Sequence, residues 1–351
     1  MKIGEFDLGN KLILAPMADI SDKSFRKIAK DFGVGLTFTQ MVSAEGVLKN
    51  NFETLRYLSF SRQEKPIGVQ ILGNDPDIIG EAVSEIEKFN PDVIDLNSGC
   101  SVSKVTKNSF GASLLESPNL LAQIIKRMKL SSKKTPISVK FRLGKDKNNV
   151  NILENAKIAE ENGADYIVIH CRTRADKYDV DAQWEWVKKT KNVLSIPVVA
   201  NGSLFEPQEL FRVKKNYNAD NLMIARGAIG NPFIFSRYNS IVENNFDPGE
   251  PDVDSVYKAI LAHIQYIRED YGDDIGIQKI KKHIVWYFKN FVGIETILEK
   301  IFSLSKFSEV FEFLEEHVFK IKNNKYKLLN NIDVQKLFIE KINFWELGVE
   351  K

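Results

Sequence analysis

Cys100 closes the stretch Val93-Ile-Asp-Leu-Asn-Ser-Gly-Cys100, and a loop carrying Lys104 and Lys107 follows it. Short apolar runs of this kind form buried strands, and in parallel α/β proteins chemistry gathers where such strands end. A thiol and a carboxamide, Asn97, at that point can serve a site. A free cysteine is also often an inert core residue, so both readings stand on this stretch alone. Lys140 and Arg142 flank Phe141 and therefore share one face of a strand. Buried together they need an anionic partner, a phosphate or an electron-rich cofactor ring; on the surface they need nothing. His170 suits a base, a phosphate ligand or a satisfied core histidine. Asn201-Gly202 and Ala225-Arg226-Gly227 offer backbone N–H groups for a phosphate, with glycine permitting close approach. Lys279, Lys282, His283 and Trp286 recur on neighbouring helical turns. That spacing fits a phosphate backbone beside a stacked base, and equally a solvated basic face.

Eight apolar runs must position these groups: Leu12–Met17, Leu36–Met41, Pro66–Gly73, Val93–Cys100, Ile137–Gly144, Tyr166–Arg172, Ile196–Gly202 and Asn221–Gly227. Spacers of helical pattern or length separate them, including a helix start at Asp75-Pro76 and patterns over 120–130 and 156–161. Strands alternating with helices predict an α/β fold, a (β/α)₈ TIM barrel ahead of a doubly wound sheet. A barrel draws its catalytic residues from the C-terminal ends of several strands. Those ends here carry Met17, Gln70, Asn97, Cys100, Lys140, Arg142, His170, Arg172, Asn201 and Arg226, which places the site at the barrel mouth. The pattern changes near Tyr238, and Phe246–Pro251 reads as a turn-rich connector. Helical periodicity follows at Val256, Ile260 and Ile264, then over 280–291, 297–311 and 334–344. Residues 1–240 are thus expected to form the barrel and 241–351 a small all-helical C-terminal domain.

The totals narrow the classes. The chain has 351 residues, 43% hydrophobic and 27% charged, as expected of a globular protein. A net charge of +2 gives no overall pull toward nucleic acid, so such binding must rest on local patches. Two cysteines and four histidines show no zinc-type spacing, so no metal is expected, and no disulfide framework. The first ten residues lack the apolar core of a signal peptide, and the apolar runs are too short to span a bilayer. A cytoplasmic protein with no membrane association is the expectation.

Taken together the motifs resemble the tRNA-dihydrouridine synthases, most closely the bacterial B-type branch. Leu14-Ala-Pro-Met-Ala18 with Asp22 and Phe25-Arg26, Val69-Gln70, Asp95-Leu-Asn-Ser-Gly-Cys100, Val139-Lys-Phe-Arg-Leu-Gly144, Ile169-His-Cys-Arg-Thr-Arg174, Val199-Ala-Asn-Gly202 and Met223-Ile-Ala-Arg-Gly227 follow the family's order. Asn231–Phe235 resembles its barrel exit, and Lys282-His283 with Trp286-Tyr287 its helical domain. The resemblance implies FMN at the barrel mouth, NADPH as reductant, and reduction of the uracil 5,6 double bond in tRNA, with no protein partner implied. It implies that Cys100 is the general acid for C5 and that Asn97 holds the uracil edge. Pro16, Met17, Ala18, Gln70, Lys140, His170, Asn201, Gly202, Ser203, Ala225 and Arg226 would contact the flavin or its phosphate. Arg142, Arg172, Arg174, Lys279, Lys282 and His283 would face the RNA. The chain departs from the family at Ser101, usually proline, at Ser98, usually methionine, and at Asp19, Cys171 and Ala225, commonly glycine.

Overall fold

A computed structural model of the protein describes residues 1–291, 297 and 300–323. Two compact units emerge, one of Met1–Gly227 with Phe235–Asp247, the other of Ala228–Ile234 with the segment from Pro248 on. Helix Phe233–Asn244 runs through the expected 240/241 boundary, and the chain changes unit at Asp247–Pro248, inside the proline-rich connector.

The first unit is a closed parallel barrel of eight strands: β1 (Ile13–Leu14), β2 (Thr37–Phe38), β3 (Ile67–Leu72), β4 (Val93–Ser98), β5 (Ile137–Arg142), β6 (Tyr166–His170), β7 (Val198–Asn201) and β8 (Asn221–Ile224). Neighbours pair in chain order from β2 to β8, β8 pairs with β1, and a bridge between Ile13 and Leu36 completes the ring. Each apolar run therefore supplies one strand, as the alternating pattern requires. The first two are shorter than their sequence runs. Val42–Ser43 instead pairs with the far end of β3. Helices lie between successive strands, and the start at Asp75 forms as expected: its carboxylate accepts from the Asp77 and Ile78 amides, with Pro76 in the first turn.

The period of two layers the barrel interior. Ile13, Phe38, Val93, Tyr166, Val168, Val199 and Met223 form its apolar filling, and Ile3 and Leu8 of an N-terminal hairpin join that cluster. One step nearer the C-terminal ends, the inward positions become Gln70, Asn97, Lys140, His170 and Asn201. Strand register puts Asn97 beside Lys140 and His170 beside both Arg142 and Asn201.

The second unit is helical among its described residues. Val253–Tyr287 is interrupted at Gly272, where φ is 70°, and Phe307–Lys322 follows. The pattern read over 297–311 does not stay helical. It breaks ahead of Phe307, where the Glu309 carboxylate accepts from the Ser305 and Lys306 amides. The pattern at 334–344 lies outside the described residues.

Candidate active site

The C-terminal ends of β3 to β8 gather most of the expected site residues. Lys140 Nζ donates to Asn201 Oδ1 at 3.1 Å, while Asn201 Nδ2 donates to the Met223 carbonyl at 2.7 Å. Asn201 is thereby a tether that aims the lysine. Arg172 donates to Ser203 Oγ at 2.6 Å and lies 3.4 Å from His170 Nε2. Gly202 packs against that imidazole with φ at 122°, and a Cβ there would come within 3.0 Å of the ring. The Arg226 guanidinium sits 4.0 Å from the ring centre of Tyr178, whose ring lies 6.5 Å from His170. Ala225 is half-buried at the end of β8. Pro16–Ala18 turn at the same end of the barrel, held by a bond from the Met17 amide to Ser21 Oγ. Asp19, in place of a common glycine, takes φ of 57°, which explains the usual glycine and which aspartate tolerates.

Cys100 sits half-buried on the loop after β4. Asn97 Oδ1 accepts from the Gly99 amide at 3.1 Å and from the Cys100 amide at 2.5 Å. Arg142 Nε donates to the Gly99 carbonyl at 2.8 Å, and the Ala112 amide donates to the Cys100 carbonyl at 2.9 Å. Gly111 lies under the loop at φ of 60°, and a Cβ there would reach within 2.6 Å of the Cys100 carbonyl oxygen. The thiol is therefore held by its backbone from three sides.

Burial and charge set the protonation states. Burial pushes the Cys100 thiol up, against the pull of the Val102 amide, Arg142 and Lys140, so it keeps its proton at neutral pH. Burial and the neighbouring Arg142 bring Lys140 down to about 8, and Asp95 acts against them. Arg226 falls to about 10, through burial first and then Arg172 and Arg142. His170 lies well below the usual histidine range because it is buried among Lys140, Arg142, Arg172 and Arg226, so its imidazole is neutral. Four cations around a neutral ring make a site built for an anion. Among the described residues no cluster of histidine, cysteine and carboxylate side chains could hold a metal ion.

Four of the expected residues are engaged within the protein. Arg172 is 1% exposed, and its guanidinium donates to the Val180 and Tyr178 carbonyls. Arg142 is likewise buried, its bonds running to the Gly99 and Thr173 carbonyls. His283 is 1% exposed and Trp286 is also buried in the helical unit, the His283 ring 4.6 Å from that of His263 and 5.0 Å from that of Trp286. Asn97, expected at the uracil edge, has its oxygen engaged by the Cys100 loop and its nitrogen by Gln70. Arg174 pairs with Glu116 at 2.8 Å near the surface, and Lys279 and Lys282 are half-buried on their helix, over Tyr271 and Trp286. Sequence reasoning gave no role to Tyr178, which lies in a stretch without periodicity, or to Asp95, whose signal was a carboxylate inside an apolar strand.

A parallel barrel with a cationic mouth and a protonated thiol on the loop after its fourth strand defines a class of barrel enzyme acting on an anionic or electron-rich group. A family model described as dihydrouridine synthase matches residues 13–323. The chain belongs to the dihydrouridine synthase family, and its relatives include bacterial B-type members. It is 36% identical over 289 residues to tRNA-dihydrouridine synthase B of Pasteurella multocida, covering 82% of this chain and 87% of that protein. It is 31% identical over 324 residues to a probable tRNA-dihydrouridine synthase 1 of Synechocystis sp., covering 91% of this chain and 89% of that one. Among solved structures it is similar to a histamine dehydrogenase from Rhizobium sp. 4-9, with a TM-score of 0.55, 15% identity, and coverage of 76% of this chain and 50% of that one. At that identity the likeness concerns the fold. Among the described residues no helix is long and apolar enough to cross a membrane.

Proposed function

We propose that this protein is an FMN-dependent tRNA-dihydrouridine synthase that reduces the 5,6 double bond of uridine in tRNA with NADPH as electron source. The observation that carries the reading is the protonated Cys100 thiol, backbone-anchored at a cationic barrel mouth, in a chain of this family.

The residues fit FMN. The half-buried Lys140, with Arg142, Arg172 and Arg226, supplies positive charge with few carboxylates to balance it, which suits a phosphate and an electron-rich ring. Gly202, Ser203, Ala225 and Arg226 lie after β7 and β8, the usual phosphate end of such barrels. Bound there and reduced by NADPH, FMN would supply the hydride for C6 of the uracil. Lys140, aimed by Asn201, stabilises negative charge in the pocket, and neutral His170 adds a hydrogen-bonding group without further charge. The Cys100 S–H then breaks heterolytically and its proton goes to C5. The thiolate left behind is stabilised by the Arg142 and Lys140 charges and regains a proton from water. C5 and C6 gain one hydrogen each, and the π bond is consumed. The target uridine must leave its stack to reach the pocket, and Lys279 and Lys282 on the helical unit offer charge for the tRNA backbone. A protein working on tRNA in this way belongs in the cytoplasm.

The test is mass spectrometry of unmodified tRNA incubated with the purified protein and NADPH, beside Cys100→Ala. The expected result is two hydrogens added to a loop uridine, with the rate in the variant down by about 10² to 10⁴. An unchanged tRNA in a protein that retains FMN would replace this reading with a flavin enzyme acting on a free pyrimidine.

A further inference from the structure

Asp95 is a charge that the chemistry above leaves without a task. It lies on β4 two residues before Asn97, on the same face, and is 1% exposed. Ser138 Oγ donates to its Oδ1 at 2.6 Å, and Gln70 Nε2 donates to its Oδ2 at 2.7 Å. Gln70 Oε1 in turn accepts from Asn97 Nδ2 at 2.8 Å, and Asn97 Oδ1 accepts from the Gly99 and Cys100 amides. The bonds form one line from Ser138 on β5, through β4 and β3, back to β4 and out to the thiol loop.

The direction of that line is set at its two ends, by a carboxylate that only accepts at Asp95 and by the Gly99 and Cys100 amides that only donate at the loop. A carboxamide has a donor end and an acceptor end of nearly equal shape, so Gln70 and Asn97 each fit their places in two orientations. A carboxylate only accepts. Asp95 therefore draws the Gln70 nitrogen toward itself, which turns the Gln70 oxygen to Asn97. The Asn97 nitrogen must then face Gln70, and its oxygen must face the loop. With both amides reversed, Asn97 would present N–H groups to the N–H groups of Gly99 and Cys100, and the loop would lose its anchor. Burial brings the Asp95 carboxyl up to about 6, which still leaves it ionised at neutral pH.

We propose that Asp95 is a positioning residue that, through Gln70 and Asn97, fixes the loop holding Cys100. The value of this to proton transfer rests on the function proposed above; the direction of the hydrogen bonds does not.

The experiment reads the thiol itself. The rate of Cys100 alkylation by iodoacetamide is measured on the full-length flavoprotein, with the modified peptide located by mass spectrometry; Cys171 is fully buried and does not compete. Asp95→Asn keeps the shape and gives position 95 a donor as well as an acceptor, so that end no longer dictates the direction and only the loop amides hold it. The expected result is an alkylation rate changed by about fivefold or more, and a kcat down by about tenfold with KM for tRNA little altered. Adding Gln70→Glu to Asp95→Asn moves the carboxylate one step along. It accepts from the new amide at position 95 and from Asn97, so Asn97 again turns its oxygen to the loop. That double variant is expected to regain a near-wild-type alkylation rate, a rescue that a merely space-filling Asp95 would not give. Wild-type reactivity in Asp95→Asn, or a double variant no nearer wild type than the single one, overturns the proposal. Where Asp95→Asn yields no folded flavoprotein, Gln70→Leu cuts the line one step nearer the loop, and wild-type reactivity there overturns it equally. A thiol that follows these changes in a protein inert toward tRNA would keep this proposal and reject the previous one.

Discussion

At the scale of single residues the site depends on holding charged groups where water is scarce. Lys140 is the clearest case, because burial and Arg142 bring its ammonium down to about 8. An anionic group bound beside it favours the charged form, so binding takes up a proton once the free lysine has lost one. The sign follows: below about 8 the ammonium is already present and affinity is flat, and above it affinity falls by up to about tenfold per pH unit. Measured by quenching of flavin fluorescence from about pH 7 to about pH 9, the Kd for FMN is expected to rise along that limb. Lys140→Met is expected to weaken binding by about 10- to 100-fold at neutral pH and to leave a flat profile. A wild-type profile that is itself flat would remove Lys140 from the cofactor site. Buried polar side chains elsewhere make the complementary point. Arg172 and His283 carry groups suited to RNA, yet Arg172 donates to loop carbonyls and His283 is packed among rings.

At the scale of elements the two ends of the barrel use polar residues differently. At the mouth they face the pocket. At the opposite end an aspartate stands immediately before β4, β6 and β8, and each one accepts from the first amide of the preceding strand: Asp92 from Ile67 at 2.8 Å, Asp165 from Ile137 at 2.8 Å, Asp220 from Val198 at 2.7 Å. A lysine pairs with each, Lys65, Lys129 and Lys191 in turn. The carboxylates satisfy strand amides that have no ladder partner, so this repeated feature concerns stability. The partly exposed lysine pairs add little to it. Asp165→Ala is accordingly expected to cost about 1 to 2 kcal/mol in denaturant unfolding while Cys100 alkylation stays at the wild-type rate. A loss of site chemistry without a loss of stability would contradict the division between the two ends.

At the scale of the whole molecule, a net charge of +2 cannot by itself recruit a polyanion. Recognition of tRNA must come from local charge, and Lys279 and Lys282 of the helical unit, with Arg174 on the barrel, are candidates that stay partly open. The pairing of the two lysines with Tyr271 and Trp286 orders the ammonium groups along one helix. Reversing both, Lys279→Glu with Lys282→Glu, is expected to weaken tRNA binding by about tenfold or more and to flatten its salt dependence, with flavin content unchanged. Binding that is indifferent to the reversal would move the RNA contact elsewhere on the surface.

The linear chain determined the barrel and the location of its working end. Eight apolar runs with helical spacers specify parallel strands because burial on both faces needs continuous apolar residues. The period of two then sends Gln70, Asn97, Lys140 and His170 to one interior layer. The motif order along the chain was also enough to show the family. What the chain could not reveal is which polar groups remain available once packed. The hydrogen-bond line from Asp95 to Cys100 joins three strands, and each member's partner lies at least 25 positions away or is fixed by a turn of the loop. Arg172 shows no partner in the sequence, yet the 173–183 loop folds over it and supplies carbonyls to its guanidinium. A motif records the type of each side chain; only the tertiary structure decides which of its donors and acceptors are already satisfied, because those partners come from elsewhere in the sequence.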